Sequence, residues 1–136
     1  FISKKDRKAM LIIDSQSLAF EEFAERGARG TSRKTFVLEK LFRLRYYRLS
    51  PGGQTPFDIH DYEHVVIIMK GSGAVVTKED GMPRIHHVKA GTVVYISSRE
   101  PHQFVNTGEE NLEFYCFSTS PILYTETVAE ALARHG

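Results

Sequence analysis

The sequence predicts an all-β chain folded as an antiparallel barrel or sandwich. From Lys34 onward, short segments rich in Val, Ile, Tyr, Phe and Thr follow one another at close intervals. Turn-forming clusters separate them: Ser50-Pro51-Gly52-Gly53, Lys70-Gly71, Glu79-Asp80-Gly81, Lys89-Ala90-Gly91 and Asn106-Thr107-Gly108. Many short strands joined by Gly-rich turns close into barrels or sandwiches. The glycines are scattered over these turns, so no phosphate-cradling loop is present.

Taken in order, the chain opens on a basic lead, Lys4-Lys5-Asp6-Arg7-Lys8, which reads as a solvated terminus. Met10-Leu11-Ile12-Ile13 is apolar enough to add a short strand to a sheet. Asp14-Ser15 has the chemistry of a helix cap, and Leu18, Phe20, Phe23 and Ala24 follow at mixed helical spacing. A short helix over about 14–27 is therefore expected, then a loop at Gly27–Ser32. Strands are expected at Thr35–Lys40, Arg43–Leu49, Phe57–His60, His64–Met69, Ser72–Thr77, Ile85–Val88, Thr92–Ile96, His102–Asn106 and Leu112–Phe117. The segment Thr125–Arg134 places Val128, Ala131 and Leu132 at helical spacing and reads as a closing helix.

The run Val65-Val66-Ile67-Ile68-Met69 is apolar on both faces of its strand. A strand with one wet face alternates. This one calls for a covered second face, supplied by the terminal segments or by another subunit.

Length and composition bound the function. The 136 residues suit one domain, here 1–136, with enough chain to bury a core. Charged residues make up 26% and the net charge is +1, which argues against a nucleic-acid protein. No apolar run reaches membrane-spanning length. Cys116 is the one cysteine, so no internal disulfide forms, and a reducing, cytoplasmic setting is expected. The sequence begins at Phe1 rather than Met, which reads as a trimmed chain.

Two separated motifs carry the chemistry. The first runs Gly52, five residues, Asp58-Ile59-His60, three residues, His64, six residues, Gly71. The second runs Gly91, ten residues, His102, three residues, Asn106. One carboxylate and three imidazoles are a ligand set for a divalent transition metal. On a strand, Asp58 and His60 share a face, and His64 can meet them from a neighbouring strand. Each His would bind through one neutral ring nitrogen with the other held by a neighbour. Glu63 points away from His64. Tyr62, between the ligands, is a candidate acid or base at the pocket mouth. Asn106 shares a face with His102 and is a candidate to orient a ligand or substrate.

Further along, Arg45, Tyr46, Tyr47 and Arg48 alternate, so one Arg and one Tyr face the pocket. An inward Arg45 would suit a carboxylate-bearing substrate. Because Glu113 should be outside, Cys116 should be inside. His86 and His87 are adjacent and read as surface residues, and His135 lies in the tail.

These motifs resemble the paired motifs of the cupin family. The first family motif spaces Gly, His, His, Glu and Gly as here, with Asp58 in place of the first His and His64 in place of Glu. In the second, Ser97 and Arg99 stand where the family has Pro and Gly. Gly52, His60, Gly71, Gly91, His102 and Asn106 match in spacing. A His at the Glu position is similar to small single-domain cupins with an all-His site, which carry a Glu-His pair where this chain has Glu63-His64.

The resemblance covers about 45–118. It implies a cupin-type antiparallel barrel (a double-stranded β-helix, or jelly roll) over about 34–118 with short flanking helices. It implies a divalent transition metal, with Fe, Mn or Ni foremost and Cu or Zn open, bound by Asp58, His60, His64 and His102. It implies a homodimer and a small-molecule substrate. The expected activity is a metal-dependent oxidoreductase of dioxygenase type. The rivals are a metal-dependent lyase or isomerase and a non-catalytic cupin that holds a metal or small ligand. Metal-free epimerase chemistry does not need so dense a ligand cluster. An apolar lining of Ile68, Phe104 and Phe114 is expected to select a small substrate.

Overall fold

The computed structural model describes residues 10–36 and 42–119. Among the described residues there are nine strands: β1 Glu21–Glu22, β2 Arg29–Phe36, β3 Phe42–Gln54, β4 His64–Lys70, β5 Ser72–Glu79, β6 Met82–Lys89, β7 Val93–Ile96, β8 Gln103–Val105 and β9 Leu112–Thr119. Every pairing is antiparallel, in one curled sheet of order β6-β5-β8-β3-β9-β4-β7, with β2 along β3 and β1 along β2. This is the expected all-β antiparallel architecture.

The expected helix over 14–27 is not formed. Asp14 does cap a helical turn, accepting from the Gln16 backbone N–H, but the turn is a 3₁₀ piece of three residues, Ser15–Ser17. The chain then extends into β1, and the Phe23 N–H donates to the Thr31 carbonyl at 2.9 Å. Tertiary contacts outcompete the weak helical spacing. Phe20 lies under the Arg48 guanidinium at 3.8 Å and Phe23 under that of Arg33 at 4.0 Å, positions that suit an extended strap across β2 and β3. The closing helix expected over 125–134 lies outside the described residues.

Two segments read as loops are strand. Residues Arg29–Ser32 begin β2, and the Ser50–Gly53 cluster lies within β3. The partners jump from Thr31↔Leu49 to Arg29↔Gln54, so the extra residues form a bulge rather than a reversal. Glycine is required there: a Cβ on Gly53 would stand 2.8 Å from the Ser50 carbonyl and 2.9 Å from that of Gly30. The bulge lets β3 turn from β9 toward β8, where Gln54 pairs with Val105. Conversely, the strand expected over Phe57–His60 reduces to one bridge, Asp58 with His102.

Register sets where the site sits. Across β3 and β9 the inward pairs run Leu49↔Leu112, Tyr47↔Phe114, Arg45↔Cys116 and Arg43↔Ser118. Across β4 and β9 they run Ile68↔Phe114, Val66↔Cys116 and His64↔Ser118. Each strand is thus apolar at one end and polar at the other, and the polar ends coincide. Leu49, Val66, Ile68, Leu112 and Phe114 form the centre of the core, all essentially inaccessible, joined by Val75, Val88, Ile96 and Phe104. Burial of apolar surface stabilises by about 25 cal/mol per Å², so this floor contributes to holding the barrel together.

The strand β4 alternates, with Val66 and Ile68 buried while Ile67 is 39% and Met69 46% exposed. Its outer face is therefore left accessible. Among the described residues, no helix is long and apolar enough to cross a membrane.

Candidate metal centre

Three imidazoles meet at the polar mouth of the barrel. His60, His64 and His102 present donor atoms that all lie within 4.8 Å of one another. Their rings are 5.0–5.3 Å apart in pairs. His64 is the first residue of β4 and points inward with Val66 and Ile68. His102 lies just before β8 and is fixed by the backbone bridge to Asp58, with both N–H···O bonds made at 2.9 and 3.0 Å. His60 enters from the connection between β3 and β4. Its carbonyl accepts from the Arg99 N–H at 2.6 Å, and Arg99 holds a φ of 67° at the position where the cupin motif has Gly.

The ring nitrogens divide into held and free. His102 Nδ1 lies 2.9 Å from the Glu100 carbonyl oxygen. A carbonyl only accepts, so Nδ1–H donates, and Nε2 is the ring nitrogen left to face the site. His64 Nδ1 lies 3.3 Å from Cys116 Sγ, while its Nε2 is buried without a hydrogen-bond partner among the described residues. A buried, unpartnered imidazole nitrogen is costly unless something occupies it. Burial pushes His64 down to about 3, with His102, His60, Arg43 and Arg45 adding in the same direction. Burial also lowers His60, against the opposing pull of Asp58. Both rings are therefore neutral near pH 7, the form that ligates. Three imidazoles, one with an orphaned nitrogen, fit a divalent transition metal.

Asp58 stands beside this group rather than within it. Its Oδ2 is 3.8 Å from His60 Nε2, and its Oδ1 accepts from the Arg26 guanidinium at 2.5 Å. Tyr62 stacks on His60 at 4.8 Å with the rings 15° from parallel, and the Arg43 guanidinium lies over the Tyr62 ring at 4.9 Å. Glu63 is exposed and points away. Arg45 and Tyr47 are the inward pair of their strand, and Tyr46 turns out to donate to Glu113 at 2.8 Å. Cys116 lines the cavity, and burial raises its thiol to about 11, against the opposing effect of Arg45 and Arg43.

Asn106 has a different task from the one expected. It is 2% exposed, donates to the Leu49 and Glu110 carbonyls, and accepts from the Gly108 N–H, so it pins the β8–β9 turn to β3. His86 is at the surface beside Glu79.

The cavity in front of the imidazoles has a volume of about 220 Å³. Its apolar wall is Phe104, Phe114, Val66 and Ile96; the expected Ile68 sits one layer deeper, in the core. Phe114 stacks on Tyr47 at 5.2 Å and packs on Phe104 at 4.8 Å, which makes that wall rigid. The polar wall is richer than the sequence suggested. Among the described residues, Arg26, Arg33, Arg43 and Arg45 line the cavity against two carboxylates, Glu25 and Asp58. Arg43 was legible in principle, because it is two residues from Arg45 and so shares its face.

Residues 45–118 match the model of the Cupin domain family, more than half of the chain. The chain belongs to the cupin family. Among solved cupin-like structures, the polyketide cyclase RemF from Streptomyces resistomycificus superposes with a TM-score of 0.72 at 25% identity, covering 86% of this chain and 93% of that one. A predicted oxalate decarboxylase from Thermotoga maritima gives a TM-score of 0.72 at 23% identity, covering 81% and 99%, a likeness of fold. Auxin-binding protein 1 of Arabidopsis thaliana is 31% identical over 77 residues, 53% of this cupin and 39% of that protein. This cupin spans less than two thirds of the length of the curated relatives it matches.

Proposed function

We propose that this cupin is a metal-dependent enzyme that oxidises or oxygenates a small organic molecule at the His60–His64–His102 centre. The observation that carries the reading is the buried Nε2 of His64, without a hydrogen-bond partner among the described residues, facing two further imidazoles at the head of a cavity with one apolar and one polar wall. Fe(II), Mn(II) or Ni(II) suits three imidazoles, with Asp58 as the fourth group beside His60. When bound, such an ion supplies Lewis acidity and, for Fe or Mn, redox chemistry.

The chain's own residues do the rest. His102 and His64 are oriented by the Glu100 carbonyl and by Cys116. Phe104, Phe114, Val66 and Ile96 exclude water and limit substrate size. Tyr62 and Arg45 stand at the cavity wall, where a phenol can pass a proton and a guanidinium can align a substrate.

The test is metal analysis of protein purified without chelator, followed by an oxygen-electrode and product screen with Fe(II)-, Mn(II)- and Ni(II)-loaded protein. Metal-dependent oxygen consumption is the expected result. Product formation without oxygen uptake would move the assignment to lyase or isomerase chemistry, the direction in which the RemF cyclase likeness leans. One equivalent of metal with no turnover would favour a ligand-holding cupin, the reading that the auxin-binding relatives support.

A further inference from the structure

We propose that Arg43 and Arg45 form an anion clamp, and that the molecule bound at this centre is a small organic acid whose carboxylate they hold. The inference rests on the metal-centre reading for where the rest of the substrate lies, and it adds the substrate's charge and the residues that read it.

Arg43 and Arg45 are two apart on β3, so both project into the cavity, opposite Ser118 and Cys116 of β9. The Nε atom of each is buried and has no hydrogen-bond partner among the described residues. Neither guanidinium has a hydrogen bond or ion pair with another described residue; Arg43 has only the ring of Tyr62 at 4.9 Å. The other two cavity arginines are already engaged. Arg26 is paired with Asp58, and Arg33 donates to the Tyr47 hydroxyl at 3.2 Å while covering Phe23 at 4.0 Å.

Two adjacent, like-charged side chains with buried unpartnered N–H groups are unfavourable in the free protein. A carboxylate relieves all of this at once. It accepts from the guanidinium forks in bidentate geometry and offsets the charge. The cavity of about 220 Å³ restricts the ligand to a small acid, and the Phe104 and Phe114 wall gives its carbon skeleton an apolar surface.

The experiment is calorimetric titration of metal-free and Ni(II)-loaded protein with pyruvate, malonate, succinate and benzoate, each beside its neutral amide. At least one acid should bind, and its amide should bind about tenfold more weakly or worse. Arg45→Gln and Arg43→Gln should each weaken the acid about tenfold or more, and Arg45→Lys should restore part of the loss. The melting temperature of Arg45→Gln without ligand should equal or exceed the parent's, because no described hydrogen-bond or ion-pair partner is lost; Arg43→Gln also gives up its contact with the Tyr62 ring.

Equal binding of acids and amides, no binding by any acid, or Gln variants that bind the acid as the parent does would each overturn the clamp. Metal content is measured on the same samples. Arginine-dependent acid binding in protein that takes up no metal would leave the clamp standing and remove the metal reading. Full metal uptake without arginine-dependent acid binding would do the reverse.

Discussion

Cys116 Sγ lies 3.3 Å from His64 Nδ1, so the one thiol of this cupin holds the ring whose other nitrogen is orphaned at the centre of the site. Burial keeps Cys116 protonated, with its thiol raised to about 11. A protonated thiol is a weak nucleophile. Its task here is orientation. Cys116→Ala should lower metal affinity by about 10- to 100-fold, the usual effect of losing a group that positions a ligand. Cys116→Ser should lose less. Competition with a chromogenic chelator reads both.

The three imidazoles and Asp58 should separate in strength. His60→Ala combined with His102→Ala is expected to abolish metal binding, since a single ring remains. Asp58→Ala should weaken binding less, because it leaves the group of three rings intact. It also releases Arg26 from its ion pair. Metal per chain after gel filtration distinguishes the two outcomes.

Stability of the metal-free protein should fall with acid. His64 is neutral in the fold and lowered to about 3, while an unfolded His takes its proton near pH 6.5. Between these values the unfolded chain binds more protons, so the stabilisation is complete above about pH 6.5 and is lost as pH falls toward 3. His60 shifts in the same direction. The melting temperature of chelator-treated protein should drop between pH 7 and pH 5, and His64→Gln should flatten that drop.

The outer face of β4 carries a prediction about assembly. Ile67 and Met69 are accessible, and the neighbouring strands add Val93 and Phe117 to the same face. A homodimer, of twice 15.5 kDa, is the expected species in light scattering at micromolar concentration. Ile67→Glu should shift it to monomer while leaving the inward residues of β4 in place.

Much of this was legible in the sequence, because strand chemistry is local. Alternation, Gly-rich turns and the spacing of two motifs were enough to indicate an antiparallel cupin barrel and to single out His60, His64 and His102, which the fold brings together. The pair Glu113 and Cys116 assigned its own faces, since a charge stays near solvent and the opposite parity goes inside.

Other features were decided only by tertiary structure. Phe20 and Phe23 follow a cap and read as helix, yet cation–π contacts with Arg48 and Arg33 draw them into an extended strap. The Ser50–Gly53 cluster reads as a turn, yet pairing on both sides of β3 makes it a bulge. The register of β3 was undecidable from Arg45 to Arg48 alone, because either parity gives one Arg and one Tyr. Pairing with β9 set Arg43 and Arg45 inward beside Cys116 and Ser118. Asn106, matched by motif spacing, turned out to hold a turn, because its amide meets the Leu49 and Glu110 carbonyls. Local sequence fixes which residues can face together; only long-range pairing decides which neighbours they find and which charges are left without one.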